Sequence, residues 1–110
     1  MGTKPVYKRV LYKISGEALM GGREFGIDPD MAARVVTDIA EAREQGTSMA
    51  LVVGGGNLFR GMALAAEGAD RVTGDHMGML AIVINALALR MEFERNGVEA
   101  VVLSGLAIPQ

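Results

Sequence analysis

Hydrophobic and polar positions along this chain alternate between a strand-like and a helix-like period. Residues 6–14 alternate in part and are rich in β-branched and aromatic side chains, which predicts a strand that stops where Ser15 and Gly16 interrupt the pattern. Residues 17–27 contain Gly21, Gly22 and Gly26 and are expected to form a loop. Asp28-Pro29-Asp30 reads as a helix start, with Asp28 as N-cap, Pro29 at the first helical position and negative charge near the positive helix end. In that helix Met31, Val35, Ile39 and Ala42 share one face, and Gly46 supplies a left-handed stop.

Residues 48–53 are a short apolar run, the pattern of a strand buried on both faces, and lead into Gly54-Gly55-Gly56. Residues 57–66 read as a helix whose N-terminus lies on those glycines. Residues 68–74 are expected to be a linker, after which Asp75 caps a long helix running to about Arg95 and closed by Asn96-Gly97. Much of that helix is apolar all round, as in helices buried in a core or across a subunit interface. Residues 98–103 predict a third strand. Strands alternating with helices imply an α/β fold with a mostly parallel sheet, right-handed crossovers and ligands at the carboxyl ends of the strands.

Composition narrows the partners. A chain of 110 residues holds one core and is read as one domain. Eleven basic and thirteen acidic residues are scattered along it, so no basic stripe marks a nucleic-acid surface. There is no cysteine, which excludes disulfides and thiol chemistry and fits a reducing cytoplasm. Lys8, Arg9 and Lys13 break any export signal near the N-terminus. The longest apolar stretch, 77–89, falls short of the ~20 residues of a bilayer span, so no membrane is expected.

The chemistry lies in two glycine turns, each placed directly after a strand: Lys13-Ile14-Ser15-Gly16-Glu17 and Gly54-Gly55-Gly56-Asn57-Leu58-Phe59-Arg60-Gly61. Glycine lets main-chain N–H groups approach an oxyanion, and Lys13 and Arg60 bring compensating charge. The spacing of Gly56 and Gly61 is that of a phosphate-binding Walker loop, but Met62 stands where that loop needs lysine. Phe59 likewise replaces the third glycine of a dinucleotide fingerprint. Either turn alone is as compatible with a tight bend as with a ligand.

The order of the motifs carries more. Lys-Ile-Ser-Gly-Glu-Ala-Leu at 13–19, the glycine motif at 54–61 and Gly-Asp-His-Met-Gly-Met-Leu-Ala at 74–81 together resemble the bacterial UMP kinases (uridylate kinases) of the amino acid kinase family. The resemblance implies the family's three-layer sandwich and transfer of the ATP γ-phosphoryl group to UMP, with magnesium neutralising the phosphates. It implies Lys13 and Arg60 as catalytic cations, an ATP site of Lys13, Ile14, Ser15, Gly16, Gly56 and Arg60, and UMP contacts from Gly55 and Asp75. It also implies homo-oligomers, hexamers in the family. GTP activation and UTP inhibition follow as well, with Gly21, Gly22, Arg23, Glu24, Phe25 and Gly26 at the regulatory loop.

Each role has a plainer alternative: a helix cap for Asp75, a solvated strand-end charge for Lys13 and a surface ion pair for Arg60. His76 is the only histidine and reads as structural, so no protein metal site is expected. The family's kinases are longer. Residues 1–110 are therefore expected to be the N-terminal, UMP-side and phosphate-loop portion, lacking the ATP-binding half and inactive alone. A non-catalytic nucleotide-binding module, a structural half-domain and another member of the family remain as alternatives.

Overall fold

A computed structural model describes residues 7–58, 67–68 and 70–104. Its elements are strand β1 (Arg9–Ile14), a 3-10 turn (Gly16–Leu19), helix α1 (Pro29–Glu44), strand β2 (Ser48–Val53) and helix α2 (Arg71–Arg95). β1 and β2 pair in parallel, with Arg9 opposite Ser48 and Ile14 opposite Val53. The β1-α1-β2 unit expected from the pattern is therefore present, although β1 starts at Arg9 rather than at 6. The Lys8 carbonyl still accepts the Ser48 N–H at 2.8 Å.

Helix α1 begins as its sequence signals demand. The Asp28 carboxylate accepts the Asp30 N–H at 2.9 Å, Pro29 opens the first turn, and Gly46 (φ 97°) ends it in the left-handed conformation. Its buried stripe is Ala32, Val36 and Ile39, with Val35 packed beside them. The expected face of Met31, Val35, Ile39 and Ala42 is thus rotated by about one residue. α1 packs against α2 as well as the sheet, and the contact line follows both neighbours.

The core joins Ile14, Leu19 and Val53 to Ala32, Val36 and Ile39 of α1 and to Leu89 and Phe93 of α2. Both helices therefore cover the same face of the sheet. β2 is not buried on both faces: Val53 is buried, whereas Val52 is 48% exposed, next to Leu11 of β1 at 65%. Among the described residues the sheet carries one helical layer, and its second face is uncovered.

Further along, the structure departs from three expectations. α2 starts at Arg71, because Asp70 caps it by accepting the Thr73 N–H at 2.7 Å; Gly74 and Asp75 are already helical. The resulting 25-residue helix is long and apolar enough to cross a bilayer by length and composition, contrary to the reading of 77–89. One stripe of it, Ala81, Asn85, Leu89 and Phe93 at four-residue intervals, is buried against the rest of the chain, whereas Leu80, Ile84 and Met91 are exposed. Residues 98–103 join no ladder among the described residues. Val98, Ala100 and Val102 are half-buried and alternate with exposed Glu99, Val101 and Leu103, so the strand-like period persists without a hydrogen-bonding neighbour.

Candidate phosphate-binding site

The parallel register brings the two glycine turns side by side. Ile14 and Val53 end their strands together, and the Gly54 N–H donates to the Ile14 carbonyl at 2.9 Å. From there the turns approach closely enough to exclude side chains. A Cβ on Gly16 would lie 2.6 Å from both the Gly56 N and the Asn57 Oδ1, and one on Gly54 would lie 3.3 Å from the Gly16 N. A Cβ on Gly55 would lie 2.9 Å from the Ala81 Cβ on α2. These glycines are required by main-chain proximity, the condition under which backbone N–H groups can also reach a phosphate.

Helical backbone begins at residues 56–58, and the first N–H groups of any helix lack intrahelical acceptors. The positive end of that turn therefore lies where the two strands finish. Lys13 is exposed, occupies the uncovered sheet face opposite Val52, and pairs with no carboxylate among the described residues. Ser15 is exposed and its side chain makes no capping bond to the 3-10 turn. Ile14 differs: its side chain is buried in the core and its carbonyl is taken by Gly54.

The Glu17 carboxylate lies over Gly56, where a Cβ would meet its Oε1 and would stand 2.9 Å from its Cδ. An anion at this turn meets that negative charge and is favoured when it arrives with a cation. No group of three or more His, Cys, Asp or Glu side chains among the described residues could form a metal cage.

Asp75 is exposed on the second turn of α2, seven residues before Ile82, whose N would be 3.1 Å from a Gly55 Cβ. Seven residues are about two turns, so Asp75 stands roughly 10 Å along the helix from the glycine turn and on nearly the same side. Its reading as a helix cap is ruled out, since Asp70 holds that position. Hydrogen bonds from the Thr73 main-chain N–H, and then from its hydroxyl, hold the Asp70 carboxyl below the usual carboxylate range. His76 is also exposed. Arg60 and residues 59–66 of the expected helix lie outside the described residues.

Gly21, Gly22, Arg23, Glu24 and Phe25 are exposed, and Gly26 donates its N–H to the Asn57 carbonyl at 3.0 Å. The structure thus ties the end of this loop to the second glycine turn. Open concavities among the described residues lie elsewhere. One of about 410 Å³ lies between Tyr7, Tyr12 and Met49 of the sheet region and Ile39 of α1; one of about 280 Å³ lies between Ile82 and Ala86 of α2 and Leu103. Neither is lined by the glycine turns.

Glu17, Asn57 and Asn85 were not assigned roles from sequence. Asn57 and Asn85 are fully buried and hydrogen-bonded to each other. The available signal was an asparagine four residues from both Ala81 and Leu89 on the apolar stripe of α2.

The model of the amino acid kinase family matches residues 8–110. The chain belongs to the amino acid kinase family. Uridylate kinases of Bartonella quintana and Agrobacterium fabrum are 64% and 60% identical to it over 94% and 100% of its residues. The same alignments cover 44% and 46% of those proteins. The crystal structure of UMP kinase from Ureaplasma parvum is similar with a TM-score of 0.81 and 31% identity, covering 93% of this chain and 43% of that one. UMP kinase from Bacillus anthracis is similar with a TM-score of 0.72 and 36% identity, covering 81% and 36%. This member of the amino acid kinase family therefore spans less than half the length of these relatives.

Proposed function

We propose that the protein is a UMP kinase and that residues 1–110 form the phosphate-loop and UMP-side part of its catalytic domain. The carrying observation is the meeting of both glycine turns at the carboxyl ends of β1 and β2, with Gly16 packed on Gly56. The names of its relatives supply the substrate class. An oxygen of the UMP phosphate attacks the ATP γ-phosphorus, the bond to the β,γ-bridging oxygen breaks, and UDP and ADP leave. Such transfer needs alignment and positive charge more than covalent chemistry.

In this reading Lys13 and Arg60 stabilise the charge that spreads over the transferring group. Lys13, Ser15, Gly16 and Gly56, with the main chain of Ile14, hold the ATP phosphates together with Arg60, and Mg2+ enters bound to ATP. Gly55 and Asp75 hold UMP, the carboxylate accepting hydrogen bonds from ribose or uracil away from the phosphate. Exposed residues 21–25 are open to a regulatory nucleotide, GTP as activator or UTP as inhibitor. A cytoplasmic homo-oligomer, hexameric at full length, completes the proposal.

Equilibrium titration of Mg-ATP and of UMP, with UDP formation followed on the same protein, tests the roles. Lys13→Ala is expected to weaken ATP about tenfold or more while leaving UMP affinity intact, and Asp75→Asn to do the reverse. Unchanged ATP affinity in folded Lys13→Ala overturns the phosphate-loop assignment. Binding of both nucleotides without UDP favours a nucleotide-binding module over a self-sufficient enzyme.

A further inference from the structure

Asn57 and Asn85 are both 0% exposed. Asn85 Nδ2 donates to Asn57 Oδ1 at 2.7 Å, and Asn57 Nδ2 donates to Asn85 Oδ1 at 3.2 Å. Each amide has one N–H left: that of Asn57 goes to the Gly26 carbonyl at 2.9 Å, that of Asn85 to the Gly54 carbonyl at 2.8 Å. Both outer acceptors are main-chain oxygens, so turning either amide over would set oxygen against oxygen, and the arrangement has one orientation. The Gly26 N–H completes the knot on the Asn57 carbonyl. Three segments meet in it: the end of the 21–26 loop, the glycine turn after β2, and the middle of α2.

A buried amide pair with every N–H used fixes direction, where leucines would supply only packing. We propose that the Asn57–Asn85 pair is a positioning latch that couples the 21–26 loop to the second glycine turn, so that the turn keeps its phosphate-binding geometry only while the loop is docked. The proposal rests on the reading of that turn as a phosphate site. Asn57 lies in the helical backbone that begins at residue 56, and Asn85 holds the carbonyl of Gly54, so the pair grips the turn on both sides of Gly55 and Gly56. Release of the Gly26 carbonyl removes one of the two acceptors that orient Asn57.

The test is amide hydrogen exchange at Gly26 and Leu58, with the Gly54 amide as a sheet-ladder reference, in the wild type and in Asn85→Asp. Mg-ATP is titrated on the same samples. Aspartate keeps the shape of Asn85 but, when ionised, has no N–H for the Gly54 carbonyl or Asn57. The expected result is joint acceleration of exchange at Gly26 and Leu58 with ATP weakened about fivefold or more, the lower range of site-to-site couplings. A purely structural role would lower the melting temperature without moving affinity measured well below it. Unchanged exchange, or unchanged ATP affinity in a variant that opens the loop, overturns the latch. A wild type that binds no ATP defeats the phosphate reading instead. Exchange alone then decides: joint opening supports the latch and independent opening overturns it. If Asn85→Asp does not fold, native-state exchange of the wild type decides, because a latch requires Gly26 and Leu58 to open with one free energy and separate values refute it.

Discussion

The glycine turns combine residues of opposite kinds. Gly16 is there because nothing larger fits: a Cβ would press on the Gly56 N and Asn57 Oδ1, both 2.6 Å away. Gly16→Ala should therefore destabilise the fold by about 1–3 kcal/mol, visible as a lower urea midpoint at unchanged slope. Lys13 is exposed and pairs with no carboxylate among the described residues, so its truncation should change stability by no more than about 0.5 kcal/mol while ATP affinity falls. Both residues were legible as motif members from the strand-then-glycine order. What the motif did not reveal was that Asn57, in the same run, turns inward, because burial of an amide depends on a partner 28 positions away.

Helix boundaries show how far local signals reach. α1 was legible at both ends because its cap bonds close within two or three residues, and Asp28→Ala should cost about 1 kcal/mol in a denaturation series. α2 was misplaced because Asp70 and Asp75 are equally good caps by type, and Gly74 argues against helix between them. Tertiary packing of Ala81, Asn85, Leu89 and Phe93 stabilises the longer helix in spite of that glycine. The Asp70 carboxyl lies below its ordinary value when folded, so its contribution is fully present above the ordinary value and disappears as pH drops through the lowered one. Acidification across that window should fray the first turn of α2 in exchange measurements, and Asp70→Asn, a cap without a titrating charge, should lose this dependence.

At the scale of the molecule, the uncovered face of the sheet matters most. Leu11 and Val52 stand exposed on it, and Leu80, Ile84 and Met91 stand exposed on α2. Two strands with unpaired edges among the described residues and this much apolar surface favour association. A polypeptide of these 110 residues should scatter light as a species heavier than 11.6 kDa, and Leu11→Lys with Val52→Lys should shift it towards that mass. A compact monomer that persists at high concentration would contradict the expectation. Residues 98–103 belong to the same picture: a strand is expected of them from their residue types, but whether such a segment becomes one depends on a neighbour's N–H and C=O groups.

Residue types a few positions apart encode the α/β order, the start of α1, the two glycine turns and the resemblance to UMP kinases, so each could be read locally. Which face of the sheet is covered, where α2 begins, and the meeting of Gly16, Gly56, Asn57 and Asn85 emerge from the folded chain alone. Those outcomes depend on burial and on hydrogen bonds between distant segments, and a local pattern carries neither.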